Sequence, residues 1–439
     1  MRNESGVPGS GGIRMKTKLT PRFWTALILF SLIGQVAWVV ENMYLNVFIY
    51  KMFHASAGNI SAMVAASAVA ATVTTVFVGA WSDRVGRRRI FMSLGYILWG
   101  LSVGCFALLR MDLISSVIPA AASAAAVGVT LTIILDCVMT FFGSSANDAA
   151  YNAWLTDNTD STNRGTAEGI NSMMPLMAIL VVFGSFMAFD LDQSRSWSII
   201  FAIIGGVVFL VGIAGFFLVD DYATTPTETG YWENVSYGFR KATVRENREL
   251  YRSFLLFILF NISIQIFMPY LILYYEVALG MKNYVLVMAP AIILAAGVTA
   301  VWGRVYDSKG FSFAVKIALL WLLLGFVVLF LFRNTALVFI GSLLMMCGYL
   351  SGMAVFGARI RDYTPEGKAG MLQGIRIFSQ VLIPGVVGPF IGKTVLQHAE
   401  VIVNNDGTTS FIPNANIFLA ALVPAALVLL WILIRRKTD

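Results

Sequence analysis

Two histidines and three cysteines in 439 residues are too few for most metal and catalytic chemistry. Cys105, Cys137 and Cys347 lie far apart, each inside an apolar run and at no metal-ligand spacing, so neither a zinc site nor a disulfide framework is expected. His54 and His398 fall between apolar runs, which excludes a histidine proton relay inside them. Charge is scarce as well: 13% of residues are Asp, Glu, Lys or Arg, against about 25% in a soluble domain. There is no serine nucleophile elbow, and "GPFIGKT" (388–394) has three residues between its glycines where a phosphate-binding loop needs four. An enzyme is not expected, and no metal or cofactor is called for.

What is present is apolar surface. The chain is 58% hydrophobic with a mean hydropathy of +0.76, more than a soluble core can hide, so its solvent is lipid. A bilayer is crossed by about 20 apolar residues in a helix. Twelve such runs are read, at 23–50, 57–80, 90–110, 127–149, 168–189, 197–218, 253–275, 284–303, 312–332, 336–357, 370–392 and 415–434. The first is too long for a signal-peptide core and lacks a small-residue cleavage site, so it reads as a retained helix. Residues 1–22 form a polar, glycine-rich tail in which Met15 offers a second start.

Lysine and arginine placement orients the chain. With both termini cytoplasmic, 23 basic residues lie inside and six outside (Lys51, Arg110, Arg195, Lys282, Arg333 and Lys393), with Lys316 and Arg376 within spans. A multi-pass protein of the cell membrane follows. The net charge of +7 is accounted for by this bias and by anionic headgroups, and needs no nucleic acid. From Leu113 to Tyr151 the chain carries charge only at Asp136 and Asp148, long enough for two spans. A thirteenth span would turn the later arginine-rich loops outward, so 112–126 is read as an outer-surface or re-entrant segment.

Two echoes divide the chain. "GAWSDRVG" (79–86) matches "GRVYDSKG" (303–310) in its glycine and aspartate spacing, and "AWLTDNTDSTNRGTAEGI" (153–170) shares six of eighteen positions with "ARIRDYTPEGKAGMLQGI" (358–375). Each echo follows the second or the fourth span of a group of six. The reading is an all-α membrane protein of twelve transmembrane helices in two pseudo-symmetric six-helix bundles, 23–218 and 253–434, with a cytoplasmic linker at 219–252 and a tail at 435–439. Trp232, Val235, Phe239 and Ala242 recur at helical spacing in the linker, which fits a surface helix; a solvated linker is the alternative.

The loop "GAWSDRVGRRR" (79–89), repeated in weaker form in the second half, resembles that of the major facilitator superfamily of secondary transporters, and the likeness covers the chain from Pro21 onward. Asp157, followed by six residues and Arg164, is similar to the acid-x6-Arg motif of sugar porters in that superfamily. The resemblance implies a gate built from Gly79, Asp83, Arg84, Gly86, Arg87, Asp157, Arg164, Asp307 and Asp362. Asp83 would latch against the start of the eleventh span near Gly370, while Arg87 to Arg89 anchor the loop at the headgroups. The competing reading is that these arginines only set topology. "PGVVGPFIG" (384–392) is similar to the motif of drug–proton antiporters but lies in the eleventh span rather than the fifth, and is read as close packing and a bend.

An ionisable group in a bilayer core costs about 2.5–3.5 kcal/mol or more, which makes it a functional candidate. Glu41 and Asp136 interrupt the first and fourth spans and are the candidates for a coupling proton or sodium ion, since burial favours the neutral form of a carboxyl. Thr132, Asp136, Thr140 and Asn147 share one face of the fourth span; Gln35, Trp38, Asn42 and Asn46 form a stripe on the first, with Glu41 about 100° away from it. Asn261 and Gln265 sit one turn apart on the seventh. The resemblance places helices one, four, seven and ten around a central cavity, where these amides and Trp38 would hold a polar solute; alternatively they satisfy one another between helices. Arg376 would bind an anionic solute or pair with an acid such as Asp148, the pair being favoured. The function implied is a monomeric secondary active transporter of a small polar solute, most like cation-coupled sugar symporters of the glycoside-pentoside-hexuronide type. The rival is a proton-coupled exporter of drugs or amphipathic lipids on the same fold.

Overall fold

A computed structural model describes residues 19–118, 121–159, 163–221, 236–365, 369–404 and 407–435. In the first half α1 is Pro21–Phe53, α2 Ala57–Val85, α3 Arg88–Leu108, α4 Ser123–Asp157, α5 Arg164–Phe186 and α6 Ser194–Leu218. In the second half α7 is Arg248–Ala278, and one helical run, Val285–Leu331, follows it. At 1.5 Å per residue its 47 residues would measure about 70 Å, more than twice the hydrocarbon thickness of about 30 Å. Gly310 breaks the run at φ 75°, ψ 170°, giving α8 (285–309) and α9 (311–331). The chain continues with α10 (Thr335–Tyr363), α11 (Gly374–His398) and α12 (Asn416–Arg435). All twelve expected spans are therefore present.

Local chemistry sets the ends. The Thr20 hydroxyl accepts the Phe23 amide at 3.2 Å with Pro21 at the first helical position, so α1 starts there. Ser56 and Asn59 form a capping box for α2, and Asn334 caps α10. Gly86 ends α2 in the left-handed region at φ 67°, where a side chain would be strained. Its counterpart in the second echo is Gly310, so the two halves share this backbone requirement.

Part of the 112–126 stretch is helical. Met111–Val117 is a two-turn helix with no buried side chain, and α4 begins earlier than the expected 127. Its pairing with Asp112 holds Arg110 at the surface, and the guanidinium keeps that carboxyl below its ordinary range. Trp232 and Val235 of the linker lie outside the described residues; further on, Lys241–Glu246 is helical and Phe239 packs edge-on against Phe378 of α11. A small hairpin not foreseen from the sequence, β1 (Val401–Val403) with β2 (Thr409–Phe411), joins α11 to α12.

Helix packing leans on glycine, as expected where lipid supplies no hydrophobic drive between helices. On α6, a Cβ at Gly205 would stand 2.6 Å from the Gly104 amide and 2.7 Å from the Gly100 carbonyl of α3. Its neighbour Gly206 points away, with nothing within 4 Å. Gly205→Val is therefore expected to destabilise the protein by about 1–3 kcal/mol or more, through overpacking against backbone that cannot yield. Gly206→Val should leave the detergent melting temperature unchanged. Equal melting temperatures for the two would disprove the seam.

The halves meet along α2 with α11 and along α5 with α8. A Cβ at Gly385 of α11 would stand 2.6 Å from the Ala68 Cβ of α2, so that contact is made without slack. Glycines of α11 also receive α7: Gly388 lies against Gln265, and Gly392 against Ile266 and Tyr270. "PGVVGPFIG" thus does serve close packing, and the helix widens into a π-turn at Phe378–Leu382 just before it.

Candidate functional site

Glu41 lies on a π-turn, Val40–Tyr44, that interrupts α1. Such turns are frequent at functional sites, because the extra residue re-aims a side chain. Glu41 is 7% exposed and faces α2 and α4: its Oε1 accepts the Ser67 hydroxyl at 2.6 Å and the Thr140 hydroxyl at 2.8 Å. Asp136, 2% exposed, is buried close enough to Glu41 for the two carboxyls to interact electrostatically. Each carboxyl leaves one buried oxygen without a donor, Glu41 Oε2 and Asp136 Oδ1. No basic side chain among the described residues pairs with either. Two neighbouring carboxylates, away from water and from cations, cannot both be ionised at reasonable cost.

The helical wheel brings Asp136 and Thr140 to one face and turns Glu41 toward neighbouring helices, and the structure joins these three. The wheel cannot find Ser67, one of several hydroxyls on α2, because its role depends on α2 lying beside α1.

The amides expected to meet a solute are mostly spent inside the protein. Asn147, on the π-turn Ser144–Tyr151 of α4, donates to the Tyr96 hydroxyl at 2.7 Å and accepts the Trp38 indole at 3.2 Å, while Tyr96 donates to the Phe30 carbonyl. Asn42, Asn46 and Asn261 each donate to a carbonyl one turn back on their own helices. Gln35 and Gln265, both half-buried, make no hydrogen bond among the described residues. Arg376 is exposed and forms no ion pair there, so the favoured pairing with Asp148 is not made: Asp148 instead accepts the Ser144 hydroxyl at 2.9 Å within its own helix.

At the arginine-rich ends, the side chains of Asp83 and Arg164 and that of Gly370's neighbour Met371 lie outside the described residues, so the expected latch falls there. Gly79 is not tightly confined, since a Cβ would meet Ala149 at an ordinary 3.7 Å. Arg84 and Arg87 are exposed. Arg88 corrects the headgroup reading. It is 6% exposed and turned inward, donating from Nε to Asp157 at 3.0 Å and from Nη1 to Ser82 at 2.7 Å. Arg89 likewise meets a protein partner, its backbone amide donating to Asp221. In the second half Asp307 is exposed, and Asp362 accepts the hydroxyl of Tyr306, which occupies the echo position of Ser82. Each half thus ties its second helix to the acid after its fourth, through Arg88 in one and directly in the other.

A family model described as the Major Facilitator Superfamily matches residues 24–389. The chain belongs to that superfamily. It is a transporter, not an enzyme. No curated protein sequence matches it significantly. Among solved structures, it is similar to a mutant form of the nucleoside transporter NupG, with 11% identity, a TM-score of 0.71, and 93% of this chain and 98% of that chain covered. It is also similar to a bacterial homolog of the human lysosomal transporter Spinster in an inward-facing and occupied conformation (14% identity, TM-score 0.68, 96% and 98% covered). A third likeness is to a POT family transporter in complex with a thioalcohol-conjugated peptide (14%, 0.66, 95% and 96%). At such identities the likeness is one of fold.

On the face opposite the arginines, this transporter is closed by contacts between its halves. Lys51, at the end of α1, pairs with Glu276 of α7 and with Asp192 at 2.9 Å. The Tyr284 hydroxyl donates to that of Tyr44 at 2.9 Å, Tyr50 donates to the Phe411 carbonyl of β2 at 2.7 Å, and Tyr270 to the Ala57 carbonyl at 3.0 Å. Counting Lys51 as one outer charge in the topology hides this role, because Glu276 lies 225 residues away.

A cavity of about 740 Å³ lies between α2, α4 and α11. Its walls are apolar, among them Val69, Val73 and Phe77 of α2, Phe141 of α4 and Val386 of α11. Cys137 reaches this cavity while the adjacent Asp136 faces Glu41, so α4 separates the carboxyl pair from the apolar space.

Proposed function

We propose that this chain is a proton-coupled secondary transporter of the cell membrane, its termini and arginine-rich loops cytoplasmic, acting as a monomer, with Glu41 and Asp136 as the coupling pair. The observation that carries the reading is the burial of two neighbouring carboxyls, each with an orphan oxygen and without a basic partner among the described residues. A proton fits the site better than sodium. Oxygens around Glu41 stand 2.6–2.9 Å apart, the spacing of O–H···O bonds. A metal ion that holds each oxygen about 2.3–2.6 Å from itself, as calcium does, spreads its ligands wider.

The solute proposed first is a small polar one, a sugar or glycoside. Gln35 and Gln265, with hydrogen bonds unspent, and the exposed Asn42 and Arg376 are the groups that would meet it. The apolar cavity beside α4 favours a second reading, export of an amphipathic or lipophilic solute. Similar folds named for nucleosides and peptides add those two classes to the panel.

Internal pH of proteoliposomes, followed as each class is added outside, separates these readings. Lumen acidification by a sugar, nucleoside or peptide is the expected result and indicates proton symport. Alkalinisation of acid-loaded vesicles by lipophilic cations would instead establish antiport. A response that requires sodium and leaves internal pH unmoved would sink the proton assignment.

A further inference from the structure

We propose that Ser67 is the positioning residue that passes the charge state of the Glu41–Asp136 pair to the contact between the two halves. The inference rests on the coupling role proposed for that pair and adds the route by which it acts. Ser67 is on α2, whereas the carboxyls belong to α1 and α4. Its hydroxyl reaches Glu41 Oε1 at 2.6 Å and lies 2.9 Å from the Thr140 hydroxyl, which also donates to Oε1. With both protons directed at Oε1, the three oxygens form a closed triangle that binds α2 to α1 and α4. The residue after Ser67 is Ala68, whose Cβ sits in the gap left by Gly385 of α11. A displacement of α2 at Ser67 is therefore felt at once where the halves touch.

The energetics favour a switch over a fixed strut. A hydrogen bond to an ionised carboxylate is about twice as strong as one to a neutral acid. While the pair holds one proton, Glu41 can carry the negative charge and Oε1 draws both hydroxyls in. A second proton, arriving from water, neutralises the pair, weakens the Ser67 bond and frees α2 to shift against Gly385. Other titratable groups near Glu41 are Asp136, Asp148 and Cys137, all on α4. Among the described hydrogen-bond partners of Glu41, Ser67 lies on α2, the helix packed against α11 of the other half.

The test needs no solute. Spin labels at Val85 and Tyr363, exposed ends of α2 and α10, report the separation of the halves in proteoliposomes, on a background with Cys105, Cys137 and Cys347 replaced. The infrared carbonyl band of protonated buried carboxyls reports the pair itself. Both should follow pH in the parent. In Ser67→Ala the band should still titrate while the acid-driven change in the population ratio shrinks about tenfold or more; Ser67→Thr, which keeps the hydroxyl, should restore it. Distances in Ser67→Ala that follow pH as the parent's do would overturn the Ser67 route and leave the coupling reading standing. A band that ignores pH in the parent, or survives unchanged in Asp136→Asn, would defeat the coupling reading and this inference with it.

Discussion

Asp136→Asn is expected to leave the transporter folded and able to exchange solute, yet unable to concentrate it. Asparagine has nearly the shape of aspartate and brings an N–H donor that can satisfy Glu41 Oε2, so the buried site remains hydrogen-bonded. What it cannot do is release a proton on one side and take one up on the other. For one proton per solute, each pH unit of gradient supports about tenfold accumulation, and the variant should fall to a ratio of one. Glu41→Gln should do the same, since the proton is a property of the pair. Asp148→Asn is the control. Asp148 is bonded to Ser144 on its own helix and lies outside the shared contact, so its variant should still accumulate solute. Undiminished accumulation by Asp136→Asn would remove the pair from the mechanism, whereas loss of exchange as well would point to a structural role.

How much of this can be read from the sequence depends on how far apart the partners lie along the chain. The twelve spans and the twofold repeat are legible because each depends on a local run of residues. Even the break at Gly310, hidden within one long helical run, is marked by its match to Gly86. Glu41 and Asp136 are legible as charges where lipid tolerates few. Their hydroxyl partners are not, since Ser67 and Thr140 are ordinary residues of membrane helices and only the packing of α1, α2 and α4 brings them together. The amides show the opposite failure. Asn147 and Trp38 meet each other, and Asn147 meets Tyr96, instead of open space, because a buried amide gains more from a partner on the next helix than from waiting for a solute. Arg88 reads from the sequence as a headgroup anchor like its neighbours; nothing local separates three successive arginines, and only the position of Asp157 decides which one turns inward.

The other large effect is expected on the opposite face. Lys51 and Glu276 have side chains only 8% and 16% exposed and lie on different halves, so opening of this face must pull them apart. Removing one member of a buried ion pair costs about 3–5 kcal/mol. Here the cost falls on the closed state alone, and the partial exposure of Glu276 with the open position of Asp192 reduces it to about 2–3 kcal/mol. Lys51→Met, which strands Glu276, should therefore shift the balance toward the form open on this face about 30- to 150-fold. Spin labels at the exposed Ser116 and Glu400, one on each half, should report the longer separation. Adding Glu276→Leu to Lys51→Met removes the stranded charge and replaces the pair by apolar contact, which is often no worse than the ion pair it replaces; the closed population should recover. Recovery in the double variant is the result a mere packing defect would not give, because two truncations of a packed site should open it further than one. If Lys51→Met leaves the separation unchanged, closure is carried instead by the Tyr44–Tyr284 and Tyr270–Ala57 hydrogen bonds, and the ion pair is an ornament of the closed state.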